Sequence, residues 1–228
     1  MIHYHGTPIS PVEALYQLTG KHFCVSHAAP QDIARVHQIG QSVMLDNGAF
    51  SAWKVGHVPD WPRYYAWCER WLASPSTWAV IPDQIEAGAQ MQDALLRDWP
   101  HGHKGAPVWH MDEPIDRMLR LIDEWPRVCI GSTDQYAVIL SPAWERRMDA
   151  AWNRIAAGRR FLPVSHMLRG MQLSGRRWPF ASVDSTDVGR NHNRAQNTPR
   201  GMADRWDAIQ PPMVWHTRVE QEELFDVA

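Results

Sequence analysis

The stretch SVMLDNGAF, residues 42–50, is a short apolar run that ends in Asp46, a polar residue able to do chemistry. Seven more short apolar runs occur along the chain, most with a similar ending, and helix-compatible segments separate them. The eight runs are residues 2–7, 22–27, 42–46, 78–83, 106–110, 127–132, 161–166 and 180–184. Eight alternations of strand and helix predict an α/β fold, a (β/α)8 barrel, whose chemistry lies at the carboxyl ends of the strands.

The predicted helices are recognised by their ends. Ser10-Pro11 with Glu13, and Ser141-Pro142 with Glu145, each provide an N-cap residue, a proline for the first helical position and a capping-box glutamate. We predict helices over residues 10–20, 30–40, 61–73, 86–99, 113–125, 141–158 and 198–209. Residues 169–175 are too few for a full helix.

The length of 228 residues suits one barrel, so we predict a single domain over residues 1–228, without a zinc-binding insertion. No apolar stretch reaches the roughly 18 residues of a membrane span, and no signal peptide precedes the first strand, which predicts a cytoplasmic protein with no membrane partner. The three cysteines, Cys24, Cys68 and Cys129, are widely spaced and are expected to be buried, inert thiols.

Charge is unevenly distributed along the chain. The formal net charge is only −2, but residues 145–205 hold twelve arginines and no lysine against five acidic residues. Such a segment suits a polyanion such as nucleic acid, or it is a solvated face whose arginines are ion-paired. Charge alone leaves both interpretations open.

Three carboxylates follow strands of the predicted barrel, namely Asp46 after the third, Asp83 after the fourth and Asp184 after the eighth. Strand ends in a closed barrel ring one mouth, so these side chains are expected to converge there. Repulsion and partial burial separate the pKa values of neighbouring carboxylates, so that one can react as a nucleophile while another acts as an acid. The alternative is that each aspartate only stabilises a local turn.

These motifs resemble the tRNA-guanine transglycosylase superfamily, which includes phage and genomic-island enzymes that insert 7-deazaguanines into DNA. The family motif D-S-G-G-[FY]-Q is similar to residues 46–51 here, and F-D-x-x-x-P-T-R is loosely similar to residues 183–186 with Arg190 beyond. The fourth-strand aspartate of the family resembles Asp83, and its sixth-strand glycine loop resembles Gly131-Ser132.

The resemblance implies a (β/α)8 barrel that exchanges guanine for a 7-deazaguanine-type base at a nucleic-acid C1′, without a cofactor. Asp184 would be the nucleophile that forms a covalent glycosyl carboxylate, and Asp46 the acid and base for the exchanged nucleobase. Asp83 would accept hydrogen bonds from the guanine edge, Phe50 would stack on the flipped base and Gly131 would let backbone groups approach the purine. Further implied substrate-binding residues are Asn47, Gly48, Ser132, His110 and His166.

The same resemblance assigns a role to part of the arginine-rich segment. Arg169, Arg190 and Arg194, with Asn191, would hold the phosphates that flank the flipped nucleotide. Salt bridges at the rim are the alternative role for these arginines.

The chain also departs from the family pattern. Ala49 and Ser51 stand where the family motif has glycine and glutamine, and no cysteine–histidine zinc site follows the eighth strand. DNA, or else another base or nucleoside substrate, is therefore expected rather than tRNA, and no metal is expected.

Two other functions remain open. His3 and His5 on the first strand, with His110 and Asp184, resemble the metal ligands of amidohydrolases, which would activate a water molecule. The other is a non-catalytic barrel that binds nucleic acid.

Overall fold

A computed structural model of the protein describes residues 1–218, and residues 219–228 of the predicted domain lie outside this range. Nine parallel strands form one sheet in the order β5-β4-β3-β2-β1-β9-β8-β7-β6. Their bounds are β1 Ile2–Gly6, β2 His22–Ser26, β3 Ser42–Asp46, β4 Thr77–Val80, β5 Gly105–Ala106, β6 Val108–His110, β7 Val128–Gly131, β8 Ser165–Met167 and β9 Ser182–Ser185.

The two outermost strands of this sheet, β5 and β6, are neighbours in the chain, because only Pro107 separates them. Proline has no N–H to donate to a strand ladder, but the Pro107 carbonyl accepts a hydrogen bond from Cys129 at 2.8 Å. The sheet is therefore a nearly closed, barrel-like arrangement, which confirms the predicted parallel α/β fold. The expectation of eight continuous strands is wrong, since the run 106–110 is divided at Pro107.

The helices are α1 Val12–Tyr16, α2 Ile33–Ile39, α3 Ala49–Lys54, α4 Trp61–Leu72, α5 Ala89–Arg97, α6 Ile115–Glu124, α7 Pro142–Ala156, α8 Asp187–Asn191 and α9 Pro199–Asp207. The predicted N-cap at Ser141 is confirmed, because its side chain accepts a hydrogen bond from the Trp144 backbone N–H. Thr198 caps α9 in the same way through the Gly201 N–H, although no cap was predicted there. The predicted Ser10 cap is wrong, since the first helix begins after Pro11 and has no side-chain cap.

Three predictions at the ends of elements are corrected. The run 161–166 is mostly not a strand, because Pro163 interrupts it and β8 begins only at Ser165, leaving Phe161 77% exposed. Helices α3 and α8 follow β3 and β9, where no helix was predicted. The first of these forms because the Asn47 side chain accepts the Ala49 N–H at 2.8 Å, directly after Gly48 in the left-handed conformation.

The core has an inner and an outer part. Inside the sheet lie Tyr4, Met44 and Trp78, with the buried thiols Cys24 and Cys129, whose pKa values burial raises well above normal. Larger clusters pack between the sheet and the helices. In residues 1–218 no helix is both long and apolar enough to cross a bilayer.

Candidate active site

A cavity of about 580 Å³ opens at the carboxyl ends of the strands. Asp46, Asp83 and Asp184 all line it, together with His110 at the end of β6 and residues that follow β3, β4, β7 and β8. The predicted site residues that line it are Asp46, Asn47, Phe50, Asp83, His110, Gly131, Ser132, Arg169 and Asp184. The volume lies in the range typical of small-molecule sites and would hold a nucleobase with its sugar.

Asp46 is the most perturbed acid of the cavity. Enclosure by protein and, to a smaller extent, the charges of Asp184 and Asp83 raise its pKa to about 6, against the lowering effect of a hydrogen bond from the Ser26 hydroxyl. Its Oδ2 also accepts the Gly48 N–H at 3.2 Å. A carboxyl with a pKa close to neutral can both give and take a proton near physiological pH.

Asp184 is held differently, by two donors on one of its oxygens. Its Oδ1 lies 2.6 Å from the Arg169 backbone N–H and 3.2 Å from His166 Nε2. His166 Nδ1 is in turn 2.9 Å from the Ser182 hydroxyl, which orients the buried ring. Within residues 1–218, Oδ2 of Asp184 receives no hydrogen bond, so this oxygen is available to react.

Asp83 forms a buried network with its neighbours. Its two oxygens accept hydrogen bonds from Asn47 Nδ2 at 2.7 Å and His110 Nε2 at 2.8 Å. Gln92 Nε2 lies 3.2 Å from His110 Nδ1 and so fixes the ring from its other side. Each Asp83 oxygen keeps a second lone pair, which leaves capacity for a ligand donor.

The rim of the cavity carries aromatic and charged side chains. Phe50 is 39% exposed, and the Arg169 guanidinium lies 4.0 Å from its ring centroid. Trp53, three residues further along α3, contacts Phe50 with 5.7 Å between ring centroids and donates to Glu86 at 3.3 Å. A base entering the cavity would pass this aromatic pair.

Trp53 and Glu86 were not singled out in the sequence. Trp53 follows Phe50 by three residues, a helical spacing that would have indicated a shared face. No helix was predicted there because Asn47-Gly48 is typical of a turn. Thr133, Asp134 and Leu168 also line the cavity without having been predicted.

Five predicted site residues lie outside the cavity lining. Gly48 and His166 act behind it through their hydrogen bonds to Asp46 and Asp184. Arg190 and Asn191 belong to α8, where the Asn191 amide donates to Asp187 at 2.6 Å, and Arg194 is exposed beyond that helix. Their predicted role at phosphates remains a prediction.

Arginines of the arginine-rich segment differ in their contacts. Arg154, Arg159 and Arg177 each contact at least one carboxylate within 3.0 Å, which is the alternative expected from sequence. Arg200 pairs with Asp204 as well. Arg169, by contrast, has its guanidinium at the cavity over Phe50.

His3 and His5 lie away from this cavity. The intervening residue, Tyr4, points into the barrel, where its hydroxyl accepts the Trp78 Nε1–H at 2.9 Å. Side chains alternate along a strand, so both histidines face outward, and His3 contacts Ser174 and Asp207. They therefore do not join His110 and Asp184 in the predicted ligand set.

Residues 1–218 contain no cluster of three or more His, Cys, Asp or Glu side chains that could hold a metal ion.

The geometry thus brings a carboxyl group with a raised pKa, a carboxylate oxygen without a hydrogen bond in residues 1–218 and an aromatic rim to one cavity. Comparison with protein-family models, with curated proteins and with solved structures gives no match for this chain.

Proposed function

We propose that the protein is a guanine transglycosylase that acts on DNA and exchanges guanine for a 7-deazaguanine-type base. The fold would be a (β/α)8 barrel in which Pro107 divides the fifth strand into β5 and β6. The observation that carries the proposal is that two carboxyl groups with different environments, Asp46 and Asp184, line one cavity. The resemblance of residues 46–51 to the transglycosylase motif agrees with it.

In the first step, Oδ2 of Asp184 attacks C1′ of the target deoxyguanosine and the C1′–N9 bond breaks. A covalent glycosyl ester forms, and the departing guanine takes the bonding electrons and a proton from Asp46. A pKa of about 6 suits Asp46 to this step, since a usable fraction stays protonated near neutral pH.

In the second step, Asp46 is a carboxylate and removes the N9 proton of the incoming base. That base attacks C1′, the ester bond breaks and Asp184 regains its negative charge. The Arg169 N–H and His166 hold Oδ1 throughout, which stabilises the charged form of the leaving carboxylate.

Base recognition would fall to the Asp83 network and the rim. Asp83 can accept from the N1 and N2 edge of guanine through its remaining lone pairs, while Asn47 and His110 keep it in place. Phe50 offers a partly exposed ring for stacking on the extruded base.

The test is covalent capture of a guanine-containing single-stranded DNA oligonucleotide on a denaturing gel, with exchange of radiolabelled guanine measured in parallel. We expect Asp184→Ala to abolish both signals. Asp187→Ala is the matched control, because Asp187 lies three residues further on, in α8, and does not line the cavity.

Undiminished guanine exchange by Asp184→Ala would reject the proposed nucleophile. Circular dichroism of the variant must match that of the unchanged protein, so that a loss of activity reports on chemistry. Mass spectrometry of DNA nucleosides from cells with and without the protein would then identify the inserted base.

A further inference from the structure

A second cavity, of about 600 Å³, lies outside the site described above. It is formed between α4 and the loop that follows β2, and we call it the α4 groove. Its lining residues are His27, Ala28, Pro30, Arg63, Ala66, Trp67 and Arg70. The proposed chemistry of the main cavity uses none of them.

One wall of the α4 groove is a single face of the helix. Arg63, Trp67 and Arg70 are spaced by four and three residues, so they lie one above another on α4. At 1.5 Å per residue the two arginines are separated by about 10 Å along the helix. Both are exposed, and neither guanidinium contacts a carboxylate in the part of the chain that the structure describes, although the Arg63 backbone N–H donates to Asp60.

The floor of the α4 groove is aromatic. The ring of Trp67 lies 5.3 Å from that of His27, which also contacts Tyr64 at 5.4 Å. Burial lowers the pKa of His27, and the charge of Arg63 lowers it further, so the imidazole is neutral at physiological pH. An uncharged aromatic surface is thus flanked by two cations.

The loop that forms one side of the α4 groove is hydrogen-bonded to the strand end that carries Asp46. His27 follows β2, and its N–H donates to the Asp46 carbonyl at 2.9 Å, while Ser26 bonds the Asp46 carboxyl. Helix α4 precedes β4 and runs antiparallel to it, which puts Arg63 near the mouth and Arg70 further down the wall. A chain leaving the mouth on this side would follow the groove.

We propose that the α4 groove binds the single-stranded DNA flanking the reacting nucleotide, with its phosphates on Arg63 and Arg70 and an unpaired base on Trp67. Cationic grooves with exposed aromatic rings are the usual means of holding single strands without sequence preference. The identity of the polymer rests on the proposed function, whereas the charge and aromatic pattern come from α4 and the loop after β2.

The test is the binding of a fluorescent 12-nucleotide single-stranded DNA, followed by anisotropy over a range of salt concentrations. The double variant Arg63→Ala/Arg70→Ala should bind roughly tenfold more weakly at low salt. Its slope of log K against log salt should fall by about 1.4, since each single-strand phosphate contact contributes about 0.7.

The matched control is Arg97→Ala/Arg146→Ala, which removes two exposed arginines on α5 and α7 that also contact no carboxylate within residues 1–218. This control should bind like the unchanged protein. Equal loss of affinity in both double variants would overturn the proposal, because it would show an effect of net charge alone. Stronger Arg63-dependent binding of an RNA 12-mer or of polyglutamate than of DNA would overturn it too.

Photo-crosslinking locates the strand directly. A 12-mer with 5-iodouracil beside its guanine should crosslink to the peptide that contains Trp67, and crosslinks confined to other peptides would contradict the proposed path. The two proposals can fail separately. If the unchanged protein does not capture DNA covalently but its DNA binding depends on Arg63, only the proposed base exchange is rejected. If it captures DNA but its binding does not depend on Arg63, only the proposed role of the α4 groove is rejected.

Discussion

The two ends of the barrel differ in how their charged side chains are paired and in which residues adopt the left-handed backbone conformation. At the carboxyl end, Asp46 is enclosed near other carboxylates and carries a raised pKa. At the amino end, Lys21 bonds both Asp204 and Asp207, and His3 adds a contact to Asp207. The carboxylates at the amino end are therefore paired with cations, whereas Asp46 at the cavity has no cationic partner within residues 1–218.

The backbone shows the same division. Left-handed residues in the segments that follow strands include Gly48 and Gly56, but also Glu86, Asp134, Leu140 and Arg169, which are not glycine. In the loops that precede strands, the left-handed positions are Gly20, Gly102, Gly158 and Gly175. A side chain in this conformation costs about 1–2 kcal/mol, so four residues at the carboxyl end carry a strain that glycine avoids in the loops before strands.

The largest effect is expected for Asp46→Asn at the carboxyl end. Base exchange should fall by roughly 10²- to 10⁴-fold, because the amide can neither give nor take the proton. The same variant should be more stable than the unchanged protein by about 2 kcal/mol above pH 6, since it removes a carboxylate that enclosure destabilises.

The pH dependence of this gain has a definite sign. Because folding raises the pKa of Asp46 from its ordinary value near 3.8 to about 6, the unfolded chain loses that proton first, and stability falls as the pH rises through this window. Urea unfolding at pH 4 and pH 7 measures it. Equal stability of the two proteins at pH 7 would show that Asp46 is well solvated and would remove the contrast between the ends.

The reverse result is expected for Asp207→Asn at the amino end. Lys21 is buried and would keep only Asp204 as a carboxylate partner, so the free energy of unfolding should fall by about 1–2 kcal/mol at pH 7. Base exchange per folded molecule should stay within twofold. A selective loss of activity, with stability unchanged, would mean that the amino end also serves the reaction.

This loss should disappear in acid. Although burial alone would raise it, hydrogen bonds from His3 and Lys21 hold the pKa of Asp207 far below its usual range. Its contribution is present above the unfolded value of 3.8 and is lost as the pH falls towards the folded value. The two unfolding curves should therefore converge between pH 4 and pH 2.

The position of Asp46, Asp83 and Asp184 could be predicted because strand alternation is a global pattern. Counting strands placed each carboxylate after an apolar run, and a parallel barrel-like sheet brings such ends to one mouth. The hydrogen bonds around them could not be predicted in this way. They depend on register, such as the pairing of His166 with Ser182, which orients the ring towards Asp184.

The outward direction of His3 and His5 was missed for a related reason. Alternation predicts that both lie on one face of β1, but the sequence does not say which face, and Tyr4 decides it by bonding Trp78 inside the barrel. The break at Pro107 was missed because the run 106–110 is otherwise a continuous apolar strand. The local sequence pattern thus did not predict features that depend on one residue, namely the direction of the β1 side chains and the strand break at Pro107.

The smallest effect concerns backbone strain. It can be measured as the difference in the free energy of unfolding between a glycine and an alanine variant at one position of each end. Glu86 has φ +63° and Gly20 has φ +85°, with no atom within 4 Å of a Cβ built on Gly20. Glu86→Gly should be more stable than Glu86→Ala by about 1 kcal/mol, and Gly20→Ala should lose a similar amount.

The Glu86→Ala variant removes the exposed contact with Trp53 but keeps the side-chain carbon, so the glycine–alanine difference isolates the conformation. Thermal unfolding of all three variants measures it. Equal stability of the glycine and alanine variants at residue 86 would show that the loop relaxes without cost. A difference matching that at Gly20 would mean that both positions require the same conformation, and that the chain accepts its cost at Glu86, whose side chain lines the cavity.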